Sequence, residues 1–539
     1  MKYRKTRKTA LAFALILGAL ASCAQNKTPG YDIEDVDNAS GSAIYEIFVG
    51  SFADSNGDGV GDLKGIEDKL PYLDSLGVKY LWLTPIHPSP TYHKYDVKDY
   101  CAIDPSFGTL EDFDSLVAKA SEKGIGILMD MVFNHTSIRS SWFESFASAF
   151  YNNDRESPYF NDFCWSKTQK DGYHFSDQVG VYVESHFSES MPELNFDSEH
   201  VRETLSAIQK FWLERGVAGF RYDAVKYYYC DENNGTVSGN VEKNVEAMSF
   251  LAAEAKKVKP DVYLVGEDWD PTTDIISSYA ASGMNCFSFP TSGLDSRGSV
   301  GDMLTLGGEE RFVESLVETQ AAYKEKRADA DVVYFVSNHD QDRWGTYAPT
   351  PARVAKKESD ARKVMASAYL LTPGTPVMYY GEELEMIGSR GASELTDAAR
   401  RQPMVWGEDK YTCAYPEGKK VANQVTVGVK QAQKDGYSVV NHYRKVLSIR
   451  NKYNDLFRYG AYSAFDVGEA RAVGLQIERN GDRYVLIHNC NVSSETIAIP
   501  QGYALVEEIN VAKVAPTLKG GDLTLGGYSS VLLKQEVSL

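Results

Sequence analysis

Short apolar runs recur along most of this chain, separated by longer amphipathic stretches. The runs are Ile44-Tyr-Glu-Ile-Phe-Val49, Val78-Lys-Tyr-Leu-Trp-Leu83, Gly124 to Phe133, Gly219 to Asp223, Asp261 to Gly266, Asn285 to Phe289, Val332 to Val336 and Pro376 to Tyr380. Helical spacing fills several intervals: Leu63 to Ser75, capped by Asp62 and ended by Gly77; Val201 to Leu213; and Val241 to Val258, stopping just before Pro260. Strands alternating with helices over roughly four hundred residues predict an α/β fold, a (β/α)8 TIM barrel. The runs lack polar alternation, which suits parallel strands covered on both faces. An open doubly wound sheet is the rival, but the Gly-rich phosphate turn common in that class is missing after the first run.

Two intervals break the rhythm. Residues 136–196 are rich in Asn, Asp, Ser and aromatics, including Trp142, Trp165, Tyr173 and His174, and show little helical periodicity. In a barrel such an insertion follows the third strand, on the face that carries active sites, and reads as a lobe over the cleft. Beyond Asn451 short alternating runs such as Ala472 to Ile477, Tyr484 to His488, Thr496 to Ile499 and Ser529 to Lys534 predict an antiparallel β domain. The expected organisation is a barrel over 42–135 and 197–450, the inserted lobe 136–196 and a C-terminal β domain over 451–539.

The amino terminus adds a destination. Lys2, Arg4, Lys5, Arg7 and Lys8 precede an apolar run from Ala10 to Leu20 and then Leu20-Ala-Ser-Cys23. A charged head, a short apolar segment and small residues make a signal peptide over 1–22. Leu-Ala-Ser-Cys resembles a bacterial lipobox, which implies lipidation of Cys23 and an exported lipoprotein held to a membrane through its acyl chains. Residues 23–41, acidic and polar, read as the tether. Removal of 1–22 takes the formal charge from -19 to -24, which argues against nucleic acid as a partner. Cys101, Cys164, Cys230, Cys286, Cys413 and Cys490 lie far apart with no Cys-x-x-Cys pair, so neither a zinc site nor a disulfide framework is expected.

Polar groups gather at the carboxyl ends of the predicted strands: Asp130, Asn134 and His135 at the third, Arg221 and Asp223 at the fourth, Glu267 at the fifth, and Asn338-His-Asp340 at the seventh. On a strand, Arg221 and Asp223 share one face, which suits a carboxylate kept ionised beside a guanidinium. Taken alone that pair reads equally well as a buried structural ion pair. Carboxylates at several barrel ends favour catalysis, because active sites of barrels lie there. Glycoside hydrolysis needs two carboxyl groups across a cleft, which makes Asp223 the nucleophile and Glu267, with no cation beside it in sequence, the acid/base. A separate stretch, Asp54 to Asp62, alternates Asp54, Asn56 and Asp58 before Gly59, as in the first half of an EF-hand loop. The Val60 carbonyl and Asp62 would complete an oxygen cage for a structural calcium, although Gly65 stands where an EF-hand has its bidentate Glu. An Asn/Asp/Gly surface turn is the alternative.

These segments resemble the sequence regions of the alpha-amylase family of retaining glycoside hydrolases, from Ile44 to the C-terminus. Asp130 to His135 resembles its first region, Gly219 to Lys226 the second, Gly266 to Trp269 the third, Phe335 to Asp340 the fourth and Met191-Pro-Glu-Leu-Asn195 the fifth. The resemblance implies Asp223 as nucleophile, Glu267 as acid/base and Asp340 as stabiliser of the transition state. It implies Arg221, His135 and His339 around the cleaved sugar, Tyr95 of His93-Lys-Tyr-Asp96 stacked upon it, Asp96 beside it, and Lys226 on the leaving-group side. It also implies calcium in the Asp54 to Asp62 loop and a possible second calcium at Asn134, put in doubt because Tyr227 replaces the usual His. The implied substrate is an α-glucan cut at internal α-1,4 bonds, with other glycan-uptake proteins as companions at the outer membrane or cell surface. His93-Lys-Tyr-Asp96 leans instead towards neopullulanase and cyclomaltodextrinase, an exo-α-glucosidase is a further alternative, and a non-catalytic glucan-binding protein is the alternative of another class.

Overall fold

Eight strands close into one parallel barrel whose order around the ring is the order along the chain. They are β1 (Ile44–Ile47), β2 (Tyr80–Leu83), β3 (Gly126–Met131), β4 (Gly219–Tyr222), β5 (Tyr263–Gly266), β6 (Asn285–Phe287), β7 (Val332–Tyr334) and β8 (Thr375–Tyr379). The computed structural model describes residues 29–233, 236–292, 298–305, 307–347, 355–391, 397–414 and 425–536. The signal segment and the expected lipidation at Cys23 lie outside the described residues. Helices alternate with the strands, and their ends follow local chemistry. The helix Leu63–Leu76 starts where Asp62 accepts the Gly65 N–H at 2.6 Å and stops where Gly77 takes φ 96°. The helices Glu199–Glu214 and Val241–Val258 are capped in the same way by Ser198 and Asn240.

Every barrel strand is buried, so side chains alternate between the barrel interior and the helical shell. Ile44, Trp82, Leu128, Tyr263, Val265, Phe287, Val333 and Val377 fill the interior as one apolar cluster. Two residues towards the carboxyl end, the same faces of β1, β3 and β5 carry Glu46, Asp130 and Glu267, as β4 carries Arg221 and then Asp223. Asp130 lies opposite Arg221, and Arg221 opposite Val265, in the strand register. The period of the strand thus stacks charge directly above an apolar plug.

The insertion between β3 and β4 holds a three-stranded antiparallel sheet, Trp165–Ser166, Val181–Glu184 and Tyr173–Ser176 in that order. It also holds the helix Ser141–Tyr151, which departs from the expected lack of helical periodicity. Phe143, Phe146 and Phe150 recur at helical spacing and pack on Phe163 and Trp165 at ring distances of 4.8 to 5.1 Å. Ser and aromatic composition hid that stripe, because tertiary burial rather than propensity holds the helix. A bridge between His135 and Glu193 ties the insertion to the barrel, and one between Phe163 and Leu194 joins two parts of the insertion itself.

After the helices Val439–Lys452 and Asn454–Tyr459, strands from Ala461 onwards form a five-stranded and a three-stranded antiparallel sheet. Val485, Ile487, Ile497, Leu523 and Leu533 fill the space between them. Buried Arg450 pins this end of the barrel by donating to the carbonyls of Leu370, Thr372 and Gly374. No helix among the described residues is long and apolar enough to cross a membrane. The six described cysteines are thiols rather than disulfide partners.

The β4–β5 pairing leaves no room at Gly219, where an added Cβ would lie 1.8 Å from the Tyr263 carbonyl oxygen. Gly219→Ala is expected to cost about 2 kcal/mol or more through overpacking, read as a lower urea midpoint; an unchanged midpoint would contradict the register.

Candidate active site

The centre of the site is the Arg221 guanidinium, held by β4 at the carboxyl end of the barrel. Its NH1 lies 2.8 Å from Asp130 Oδ1 and 2.6 Å from Asp223 Oδ1, and its NH2 lies 2.7 Å from Glu267 Oε1. One cation therefore serves three carboxylates in a water-poor environment. The guanidinium can do so because its planar fork offers several donors at fixed angles, which an ammonium lacks. It also lies over the Trp82 ring at 5.1 Å, on the apolar plug below.

The cation for Glu267 thus comes from the neighbouring strand and not from its own segment, which has none. Burial nevertheless pushes the Glu267 carboxyl up to about 7, with Arg221 opposing and Asp223 and Asp340 adding to the rise. Burial likewise carries Asp130 up to about 6, against the pull of Arg221 and with the push of Asp223. Directly after Asp223 the chain turns through Ala224 in the left-handed region, φ 50°, and its N–H reaches Glu267 Oε2 at 3.1 Å. A non-glycine residue held there stores strain at the point where two catalytic candidates meet.

Asp340 has its own cations. Arg401 NH2 lies 2.5 Å from Asp340 Oδ1, and His339 Nε2 lies 3.0 Å from Asp340 Oδ2. On its other side His339 Nδ1 is 2.6 Å from Glu46 Oε1. Burial disfavours charge on this imidazole, but Asp340 and Glu46 outweigh it and carry His339 up to about 10. Burial alone would raise the Asp340 carboxyl, but His339 and Arg401 outweigh it and hold it well below the ordinary carboxylate range. Tyr95 lies parallel to the His339 ring at 5.3 Å, and its hydroxyl sits 2.5 Å from His339 Nε2 and donates to Asp130 at 3.1 Å.

Asp223, Glu267 and Asp340 all line one cavity of about 570 Å³, together with Tyr95 and His135. Arg221 and His339 stand behind that wall and hold the carboxylates. His135 is fixed by the Tyr95 carbonyl and the Asn134 side chain, at 3.2 and 3.3 Å. Asp96 accepts from Ser89 and Thr91 and shapes the turn that presents Tyr95, without reaching the cavity itself. Lys226 points to the Trp269 carbonyl at 3.1 Å and to Asp270 at 3.7 Å, beside the cavity rather than in its lining.

The metal candidates lie elsewhere. In the loop from Asp54 to Asp62, Asp54 accepts the N–H groups of Asn56, Gly57 and Gly59, Asn56 that of Asp58, and Asp58 that of Val60. Asp62 accepts from Ser55 and Gly65. The buried Cys413 thiol beside this loop is pushed up by burial and by the charges of Asp54, Asp62 and Asp58. An all-oxygen donor set of this kind fits calcium. Asn134 keeps a buried side-chain oxygen with no hydrogen-bond partner, the oxygen a second calcium would take.

Sequence reasoning passed over Glu46, Trp82 and Arg401. A lone carboxylate inside the apolar run Ile44 to Val49 was a signal for Glu46, since a buried charge requires a partner. Arg401 had none, because it reaches Asp340 only through the fold. Arg401 also reaches the Tyr92 hydroxyl at 2.9 Å and the His339 carbonyl at 2.9 Å.

A family described as alpha amylase, catalytic domain, matches residues 46–460. "Alpha-amylase 3" of Dictyoglomus thermophilum is 37% identical over 498 residues, covering 91% of this chain and 92% of that protein. An oligo-1,6-glucosidase of Bacillus cereus is 28% identical over 570 residues, covering 92% and 97%. Among solved structures, Eubacterium rectale Amy13B superposes with a TM-score of 0.84 at 32% identity, over 95% of this chain and 98% of that one.

The raised Glu267 carboxyl has a consequence for stability. Between its ordinary 4.5 and about 7 the folded protein holds a proton that the unfolded chain has released. Its contribution is complete below pH 4.5 and is lost as the pH climbs through about 7. Glu267→Gln removes this share of the pH dependence, so the urea midpoint of the variant is expected to fall less steeply across that window. Equal slopes for variant and wild type would contradict the assignment.

Proposed function

Since the chain belongs to the alpha-amylase family of glycoside hydrolases, we propose that it hydrolyses internal α-1,4-glucosidic bonds of starch, maltodextrin or related α-glucans with retention of configuration. Action on α-glucans follows from the family; the bond, the endo mode and the stereochemistry are the proposal. The observation that carries it is the convergence of Asp223, Glu267 and Asp340 on one cavity, the first two sharing a guanidinium. Retaining enzymes place their two carboxyl groups about 5–5.5 Å apart, and a shared guanidinium keeps a pair close.

Protonated Glu267 gives its proton to the glycosidic oxygen as Asp223 attacks the anomeric carbon. Arg221 holds Asp223 Oδ1, which leaves Oδ2 for the attack. The leaving chain departs with that proton, and the remaining sugar is esterified to Asp223. Glu267, now ionised and paired with Arg221, takes a proton from water, whose oxygen attacks the same carbon and frees Asp223. Asp340, kept anionic by His339 and Arg401, accepts hydrogen bonds from sugar hydroxyls that strengthen as the ring distorts. Tyr95 offers its ring to that sugar.

The Asp54 to Asp62 loop belongs to the same proposal as a structural calcium site, with Asp54, Asn56, Asp58, Asp62 and the Val60 carbonyl as ligands. Bound there, calcium would neutralise the carboxylates of Asp54, Asp58 and Asp62. The basic head, apolar run and Leu20-Ala-Ser-Cys23 support an exported protein anchored through lipid on Cys23. His93-Lys-Tyr-Asp96 favours a second reading, a neopullulanase or cyclomaltodextrinase, and the named relatives span more than one bond specificity.

Incubation with soluble starch should release reducing ends, and Asp223→Asn should lower kcat by about 10³-fold or more; an inactive wild type or an unaffected variant would sink the hydrolase reading. A product profile on amylose, pullulan and cyclodextrin decides between the two specificities, because faster opening of cyclodextrin than of amylose selects the second. Chelation should lower the unfolding temperature of the wild type and calcium should restore it, while Asp58→Ala should show little response to either. A wild type indifferent to chelator would remove calcium from the account.

A further inference from the structure

Behind the cavity wall, at the seam between lobe and barrel, three side chains from two distant segments converge. Glu184 ends a lobe strand, His186 follows it, and Cys230 comes from the segment after β4; one ligand atom of each lies within 4.8 Å of the others. We propose that Glu184, His186 and Cys230 form a binding site for a borderline-soft divalent cation of the zinc class, joining the lobe to the barrel.

The donor set is the first argument. Thiolate, imidazole and carboxylate together are ligands of zinc, whereas calcium takes oxygen and leaves sulfur and nitrogen aside. The imidazole is held between two carboxylates: Glu193 Oε2 lies 3.0 Å from His186 Nδ1, and Glu184 Oε1 lies 3.7 Å from the same nitrogen. By its donors the site differs from the all-oxygen loop at Asp54 to Asp62.

The orientation of the imidazole is the second. His186 is only 8% exposed, and Gly172 is packed so closely beneath its ring that a Cβ there would lie 2.2 Å from Nε2. Gly172 has φ 74°, a conformation that suits glycine. The chain has thus made a seat that turns Nδ1 towards the carboxylates. Glu184 is further fixed by the Tyr173 hydroxyl at 3.2 Å, and Glu193 by the His186 backbone N–H at 2.8 Å, the outer hydrogen bonds that orient metal ligands.

Electrostatics is the third. Glu184 and Glu193 crowd one imidazole, at 3.7 and 3.0 Å from His186 Nδ1, so two carboxylates repel each other there. A divalent cation would relieve that repulsion. The Cys230 thiol, which contacts the Tyr227 carbonyl at 3.7 Å, would release its proton to solvent on coordination. Tyr227 packs against Phe187 at 4.9 Å, and both line the catalytic cavity, so the cation would fix the lobe side of the substrate cleft.

The test uses the purified protein, stripped with chelator and titrated with zinc alone and, separately, with cobalt(II). Expected are about one zinc ion per chain that excess calcium does not displace, and a cobalt adduct with thiolate-to-metal charge-transfer absorption. Cys230→Ser should lose that absorption and bind zinc at least about tenfold more weakly, as should His186→Gln, which guards against a Cys230 variant that fails to fold. Absence of zinc uptake, a cobalt adduct without thiolate absorption, displacement by calcium, or zinc held as tightly by the folded variants as by the wild type would each overturn the proposal.

Discussion

One guanidinium bearing three carboxylates is the constraint on which the rest of the site depends. Arg221 is buried with Asp130, Asp223 and Glu267 around it, and a single positive charge cannot neutralise three negative ones in a medium of low dielectric. Burial first and the neighbouring carboxylates second, against the pull of Arg221, lift Glu267 and Asp130 above their ordinary ranges. A carboxyl that holds its proton near neutral pH is what the acid of the proposed mechanism requires.

The neighbouring carboxylate is treated in the opposite way. Asp340 has two cations beside it, Arg401 and His339, and His339 is kept charged by Asp340 together with Glu46 from the first strand. Two acids at one cavity are thereby pushed apart, one towards the neutral form and one firmly ionised. Tyr95 couples the two halves, since its hydroxyl touches both His339 and Asp130. An alteration at Glu46 would therefore reach Asp340 through His339 without touching the cavity.

The scaffold accounts for the existence of such a cluster. The apolar plug of Trp82, Leu128, Val265, Phe287 and Val333 closes the barrel beneath the charges and excludes water from below. The lobe adds Phe187 and Met191 to the cavity lining. Buried charge is tolerated here because each group has a partner whose position is set by a strand.

Much of this was legible along the chain. Alternation of apolar runs and helices specified the barrel, because a buried parallel strand and its covering helix each impose a period that survives in sequence. Asp223, Glu267 and Asp340 could be singled out because a carboxylate at the end of an apolar strand adds little to packing and stands on the face where barrels do their chemistry. The lobe helix Ser141–Tyr151 was not legible, since its formation depends on Phe163 and Trp165 packing from later in the chain. Nor were the partnerships that set the charges. The approach of Arg221 to Glu267, of Glu46 to His339, of Arg401 to Asp340 and of Cys230 to His186 joins residues far apart in sequence. Which residues are candidates for the chemistry is a property of local pattern and could be read directly. Which protonation state each one holds depends on distances of a few ångströms across the barrel, and only the closed tertiary structure decides those.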